Sequence, residues 1–135
     1  FLNVVGSQLS VNKMNDAVKE MEEKFNITIP EFTVAAVKKN GEYIHKWYLG
    51  TEAEIDEKKL AESLDKALQE ANKNYGVARS KALKGVEVVK VSPKMFTEWS
   101  AASKKKGGQV KMEKVMKEEK FAQWEEFVHS MINKQ

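Results

Sequence analysis

Cysteine is absent from this 135-residue chain, which excludes disulfides, thiolate nucleophiles and cysteine-bound zinc. Histidine is scarce, with only His45 and His129, too little for a histidine-rich metal site. Two prolines and seven glycines rule out collagen-like and low-complexity classes. Apolar runs such as Phe32 to Val37 fall far short of the roughly 20 residues that cross a bilayer. No charged-then-apolar leader opens the chain, and a cysteine-free protein suits the cytoplasm, which is the expected setting. GxSxG, HExxH, the Walker loop and GxGxxG are all missing, so no complete enzyme signature can be read.

What is present is an ordinary globular balance, 41% hydrophobic and 32% charged, in a length that suits one domain. The formal net charge is only +3, too small to argue for nucleic acid. Its placement says more. Residues 100–120 hold seven lysines (104, 105, 106, 111, 114, 117 and 120) against three glutamates, leaving the rest of the chain at −1. One cationic stretch of this size suits a small anion such as a phosphate better than a long polyanion.

The chain begins at Phe1-Leu2-Asn3-Val4-Val5-Gly6, which reads as a strand with no polar lead-in. The expectation is a domain cut from a longer protein. From Ser10 as N-cap, Val11, Met14, Val18, Met21 and Phe25 recur at helical spacing, and Asn26 and Pro30 end the run. Two strands follow, 31–37 and 43–49, joined across Asn40-Gly41, a strong hairpin signal. Leu60, Leu64, Leu68, Ala71 and Tyr75 mark a second helix. Either Thr51 with Glu54 or Asp56 serves as its cap. Val86 to Val91 reads as a strand, and Ser92-Pro93 opens a helix with Phe96 and Trp99 inward. Gly107-Gly108 stops it, and a last helix carries Phe121, Trp124, Phe127 or Val128, and Met131. The order β-α-β-β-α-β followed by two helices predicts an α+β single domain. Its sheet is expected to be mainly antiparallel and ferredoxin-like, with helices packed on one face.

Of the segments that could carry chemistry, Gly107-Gly108-Gln109-Val110-Lys111 is the most suggestive. Paired glycines permit close backbone approach, and the lysine supplies a mobile cation for a phosphate. Taken on its physics alone, it is more simply a helix stop followed by a solvated lysine. Lys104, Lys105 and Lys106 read as the favourable cationic end of a helix, and no aromatic interleaves with them as a base-stacking platform would. Trp99 and Trp124 fall at inward positions and read as core. Tyr43, His45, Trp47 and Leu49 alternate onto one strand face, where a lone histidine is expected to be structural. The six methionines are given no metal role.

Taken together, several segments resemble the auxin-responsive acyl-acid amido synthetases, the plant hormone-conjugating enzymes and their bacterial relatives. Residues 1–6 look like the first strand of that family's C-terminal domain, just past the interdomain hinge. Gly41-Glu42-Tyr43-Ile44-His45-Lys46-Trp47 continues the likeness. Leu64-Asp65, Leu68, Asn72, Tyr75 and Arg79 match the spacing of its long helix. Phe96 to Trp99 and then Gly107 to Lys111 resemble its C-terminal glycine-rich lysine segment. Two departures mark the chain as similar to a divergent bacterial member. Ser7 stands where the family usually has an acidic residue, and Glu113 and Lys114 stand where it usually has proline and arginine.

The resemblance implies an adenylate-forming enzyme that uses ATP and Mg2+ to convert a carboxylic acid to an acyl-adenylate. An amino acid's amine then attacks, releasing AMP. A large N-terminal domain would hold most of the nucleotide and acyl site, and the present chain would be the small domain that swings over it. On this reading Lys111 is catalytic, Gly107, Gly108 and Gln109 form the phosphate loop, and Gly6 and Ser7 lie at the hinge. No metal site is expected in the fragment, nor turnover by it alone. The expected partners are the N-terminal domain and the two substrates, with no membrane and no nucleic acid. The competing class is a non-catalytic ferredoxin-like module that binds RNA, a small ligand or a protein.

Overall fold

The computed structural model describes residues 2–4, 7–72, 75, 83–105 and 113–133. Ser10 starts the first long helix as anticipated. Its side chain accepts a hydrogen bond from the Lys13 N–H at 3.2 Å, and α1 runs Val11–Phe25. It buries Met14, Ala17, Val18 and Met21, each large side chain contributing roughly 1.5–3 kcal/mol. Asn26 closes the helix with φ 53°, a left-handed angle that asparagine tolerates.

Before α1, β1 (Leu2–Val4) and β2 (Ser7–Leu9) pair as a short antiparallel hairpin. After it, β3 (Glu31–Lys39) and β4 (Glu42–Gly50) pair antiparallel over their whole length. Asn40 and Gly41 both take positive φ, 53° and 82°, as a tight primed hairpin turn requires. The second helix, α2 (Glu57–Ala71), takes Asp56 as its cap. Thr51 is engaged elsewhere, since its hydroxyl donates to the Thr28 carbonyl at 2.7 Å and accepts from the Ala53 N–H. β5 (Leu83–Val91) then returns beside β4 in parallel. Two helices complete the described chain, α3 (Lys94–Lys105) and α4 (Glu118–Asn133).

The α+β class matches the expectation, with three particulars changed. The three-stranded sheet, in order β3-β4-β5, is mixed rather than mainly antiparallel. The reason is that α2 serves as a crossover connection and delivers β5 parallel to β4. The N-terminal strands form a sheet of their own. Helices also cover both faces of the main sheet instead of one. Phe32, Val34, Trp47, Leu49 and Val88 pack with the apolar stripes of α1 and α2. On the opposite face Ala35, Tyr48 and Val91 pack with Met95, Phe96, Phe121, Trp124 and Val128 of α3 and α4. Apart from Thr33, residues 32–37 of β3 are apolar without alternation, the property of a strand buried on both sides.

Gly50 lies where the sheet comes close to α3. A Cβ at this position would stand 2.7 Å from Cε2 of Phe96 and 3.2 Å from the Glu31 carbonyl oxygen. The Phe96 ring is 2% exposed and lies 4.9 Å from Trp124, centroid to centroid, so it has no room to retreat. Gly50→Ala is therefore expected to destabilise the domain by about 1–3 kcal/mol through overpacking. Urea unfolding checks this, and an unchanged midpoint would refute the close contact.

Candidate functional site

Gly107, Gly108, Gln109 and Lys111, the sequence's candidate phosphate loop and cation, lie outside the described residues, as does Gly6. Ser7 opens β2 opposite Val4. What the structure does define is the frame on either side of the glycine-lysine segment.

On the N-terminal side the frame is α3. Ser92 caps it, its Oγ accepting from the Lys94 N–H at 3.3 Å while donating to Glu52 at 2.8 Å. The helix is set against α4 by an aromatic cluster. Trp124 is wholly buried, with Phe96 at 4.9 Å and with Tyr48 and Trp99 both edge-on at 5.6 Å. Trp124 is thus core, as expected, and Trp99 packs partly buried against it. Tyr48 reaches across this cluster to donate its hydroxyl to Glu125 at 2.7 Å. Burial, then that hydrogen bond and the negative charges of Glu125 and Glu87, push the Tyr48 hydroxyl above the usual tyrosine range. Lys46 joins Glu125 to Glu87 and Glu87 pairs with Lys39, tying α4 to all three strands of the main sheet.

On the C-terminal side the frame is a short strap, residues 113–116, laid along the outer edge of β3. The Val34 N–H donates to the Lys114 carbonyl at 2.9 Å, and the Met116 N–H donates to the Val34 carbonyl at 3.0 Å. Together they make a one-residue parallel bridge between Val34 and Val115. Thr33, 0% exposed, donates its hydroxyl to the Glu113 carbonyl at 2.8 Å, with the Lys114 carbonyl 3.3 Å away. Lys114 pairs with Glu31 at 3.4 Å and sits 4.5 Å from the centre of the Phe32 ring. Glu113 pairs with Lys120 at 2.8 Å. Two of the seven lysines in the cationic stretch therefore spend their charge on the strap's own carboxylate and on β3.

Glu113 and Lys114, the sequence's departures from the family pattern, are thereby given partners of their own. Thr33 was missed at the level of sequence, where it read only as a strand former. Its one signal was a hydroxyl inside an otherwise apolar run.

The other candidates sort into structural roles. His45 is fully buried on the α1/α2 side of the sheet, its ring 5.9 Å from Tyr75. Tyr75 in turn donates to Asp65 at 2.9 Å and its N–H donates to Asn72 at 3.2 Å. The spacing Asp65, Asn72, Tyr75 therefore builds the closure of α2, while Arg79 lies outside the described residues. His129 is exposed on α4. Among the described residues no group of three or more histidines, aspartates and glutamates is placed to hold a metal ion. No helix among them is long and apolar enough to cross a membrane.

The order of elements and the position of the glycine-lysine segment between α3 and the strap can now be set beside known proteins. The model of the GH3 family C-terminal domain matches residues 12–120. This chain belongs to the GH3 family.

The matched span of this GH3 domain runs from the start of α1 to the first turn of α4 and takes in residues 107–111. Among solved structures it is similar to the AtGH3.15 acyl acid amido synthetase in complex with 2,4-DB. That TM-score is 0.70 at 18% identity, covering 91% of this chain and 24% of that one. It is also similar to a GH3.15 acyl acid amido synthetase, with a TM-score of 0.63 at 17% identity, over 90% of this chain and 25% of the other. At these identities the likeness is one of fold. The chain spans about a quarter of the length of these structures. No curated protein matches it in sequence.

Proposed function

We propose that this GH3 domain is the mobile C-terminal lid of an ATP-dependent acyl-acid amido synthetase acting in the cytoplasm. The parent would adenylate a carboxylic acid and transfer the acyl group to the amine of an amino acid. The match of the GH3 C-terminal domain over residues 12–120 carries this reading. The fold likeness to two acyl acid amido synthetases supports it. ATP and Mg2+ would be held by the N-terminal domain. The chain's own contribution is cationic rather than metal-ligating. Lys111 would come to the α-phosphate as a compact, mobile point charge where negative charge is redistributed. Gly107, Gly108 and Gln109 would let the backbone approach.

The test is acid-dependent exchange of pyrophosphate into ATP. The full-length parent is expected to catalyse it, and the 135-residue domain alone is expected to give none. Exchange by the isolated domain, or none by the intact parent with a broad panel of carboxylic acids, would overturn the reading.

The hinge is proposed at Gly6 and Ser7, where a few residues absorb the φ/ψ change of a domain swing. Gly6→Pro in the parent is expected to affect the two half-reactions unequally. Adenylation is read by pyrophosphate exchange, and transfer by amide formation from preformed acyl-adenylate. Equal or absent effects would move the hinge elsewhere.

A further inference from the structure

We infer that the groove between α3 and α4, floored by Trp99 and Phe127, is the surface on which the N-terminal domain of the parent chain docks. The inference rests on the lid reading above, of which it needs only that such a domain shares the chain.

The groove follows from helical spacing. Trp99 and Ala102 stand three residues apart on α3, and Gln123, Phe127 and Ser130 stand four and three apart on α4, so each set lines one side. The space between them measures about 500 Å³, the size of sites that accept large apolar groups. Its floor is aromatic, with the Trp99 and Phe127 rings meeting edge-on at 5.4 Å. Both rings are only partly buried, whereas Trp47 and Trp124 are 0% exposed. Gln123, Glu126 and Ser130 are exposed around them. Half-open aromatic rings inside a polar margin have the anatomy of a protein interface, where such rings act as anchors.

The helix layer on the other face of the sheet is different. Every exposed residue of α1 is polar. The groove between α1 and α2 is smaller, about 120 Å³, and its lining includes Glu20, Lys24, Ser63, Lys66 and Glu70. Covering it would desolvate charges for little apolar gain. The α3/α4 layer is therefore the better seat.

The relatives' length argues for the occupant. This chain covers 24% and 25% of the two amido synthetases it resembles, so in a parent of that size about three quarters of the chain lies outside this domain. A domain tethered on the same chain is present at a high effective concentration, which a second copy must exceed in bulk solution. Interfaces between domains of one chain are moderate in area and partly polar, and they release readily. A groove with two aromatic anchors and a polar margin suits a seat that a moving domain takes up and leaves.

The experiment uses the full-length parent with Gln123→p-benzoylphenylalanine, a photo-reactive side chain at the groove's margin, and with the same replacement at Glu23, exposed on α1. Each is irradiated alone, with ATP and acid, and with the amino acid added. Gln123 is expected to cross-link to the N-terminal domain of its own chain in at least one state, located by peptide mass spectrometry, and Glu23 is not. A cross-link from Gln123 to a second copy, seen as a doubled mass on a denaturing gel, would overturn the inference. So would no cross-link from Gln123 in any state, or an equal yield from Glu23.

Ala102→Glu sharpens the test, because it sets a charge in the groove, removes no core atom and keeps a good helix former. It is expected to lower the Gln123 yield by about tenfold, the effect of one lost anchor. An unchanged yield, with the α4 amides still protected from hydrogen exchange, would also overturn the docking surface. If α4 loses protection in this variant, the Gln123 cross-link in the parent without Ala102→Glu still decides. Pyrophosphate exchange by the wild-type parent separates the two readings. Exchange without the cross-link removes the docking surface alone, and the cross-link without exchange supports docking while the adenylation reading fails.

Discussion

Replacing Lys111 by alanine in the full-length parent is expected to lower acid-dependent pyrophosphate exchange by about 10²- to 10³-fold, the usual cost of removing one preorganised stabiliser of developing charge. The apparent affinity for ATP should change far less. The asymmetry follows from what a lid residue does. Most ground-state binding would come from the N-terminal domain, so a charge brought by the lid acts mainly on the transition state, and its loss lowers kcat and kcat/KM together. Lys111→Arg should recover only part of the rate. A guanidinium is planar and forked, whereas the site would be tuned to a compact ammonium that rotates freely. Equal exchange rates for wild type and Lys111→Ala would end the assignment.

The parts of the fold set by neighbouring residues were legible in the sequence. Ser10, Asn26 and Asn40-Gly41 each act within a few residues of themselves, through a cap, a left-handed closure and a primed turn, and each stands where the pattern placed it. The choice between Thr51 and Asp56 was not legible. It depends on the Thr28 carbonyl, 23 residues away in the chain, which takes the Thr51 hydroxyl. The parallel pairing of β4 with β5 was missed for the same reason, because periodicity describes a strand's faces and not its neighbour. The covering of both sheet faces left a trace in Phe32-Thr33-Val34-Ala35-Ala36-Val37. That run does not alternate, and a strand with one wet face would.

The site divides along the same line. Residues 107–111 stand out from their composition, glycines followed by a lysine, and they lie outside the described residues. The strap that follows them does not stand out. Glu113-Lys114-Val115-Met116 has neither the length nor the pattern of a strand, and it is held by one bridge residue and one distant hydroxyl. The basic stretch likewise read as a local patch suited to a small anion. Lys114 and Lys120 turn out to be committed to Glu31 and Glu113, and of those carboxylates only Glu113 lies near them in sequence.

The strap also depends on the aromatic layer beneath it, and Trp124→Ala is expected to show how strongly. Met116, the strap's last residue, is 2% exposed and packs in the same cluster as Trp124, Tyr48 and Phe96. Trp124 makes ring contacts with Tyr48, Phe96, Trp99 and Phe127, so its removal empties the centre of that layer. The expected loss is about 3–5 kcal/mol, a large part of the roughly 5–15 kcal/mol by which domains are stable. The indole N–H has no hydrogen-bond partner among the described residues. Trp124→Phe therefore forfeits volume but no hydrogen bond and should cost clearly less than the alanine. Trp99, only partly buried at the edge of the cluster, should also cost less when truncated. Urea unfolding of the three variants checks the order. If Trp124→Ala lies within about 1 kcal/mol of wild type, far below the usual cost of truncating a buried aromatic, the layer is not centred on this residue. Where Trp124→Ala still folds, amide exchange at Met116 should rise more than at α1. The two sheet faces have separate cores, and the strap touches both: Met116 packs in the one beneath α3 and α4, Val115 against the other.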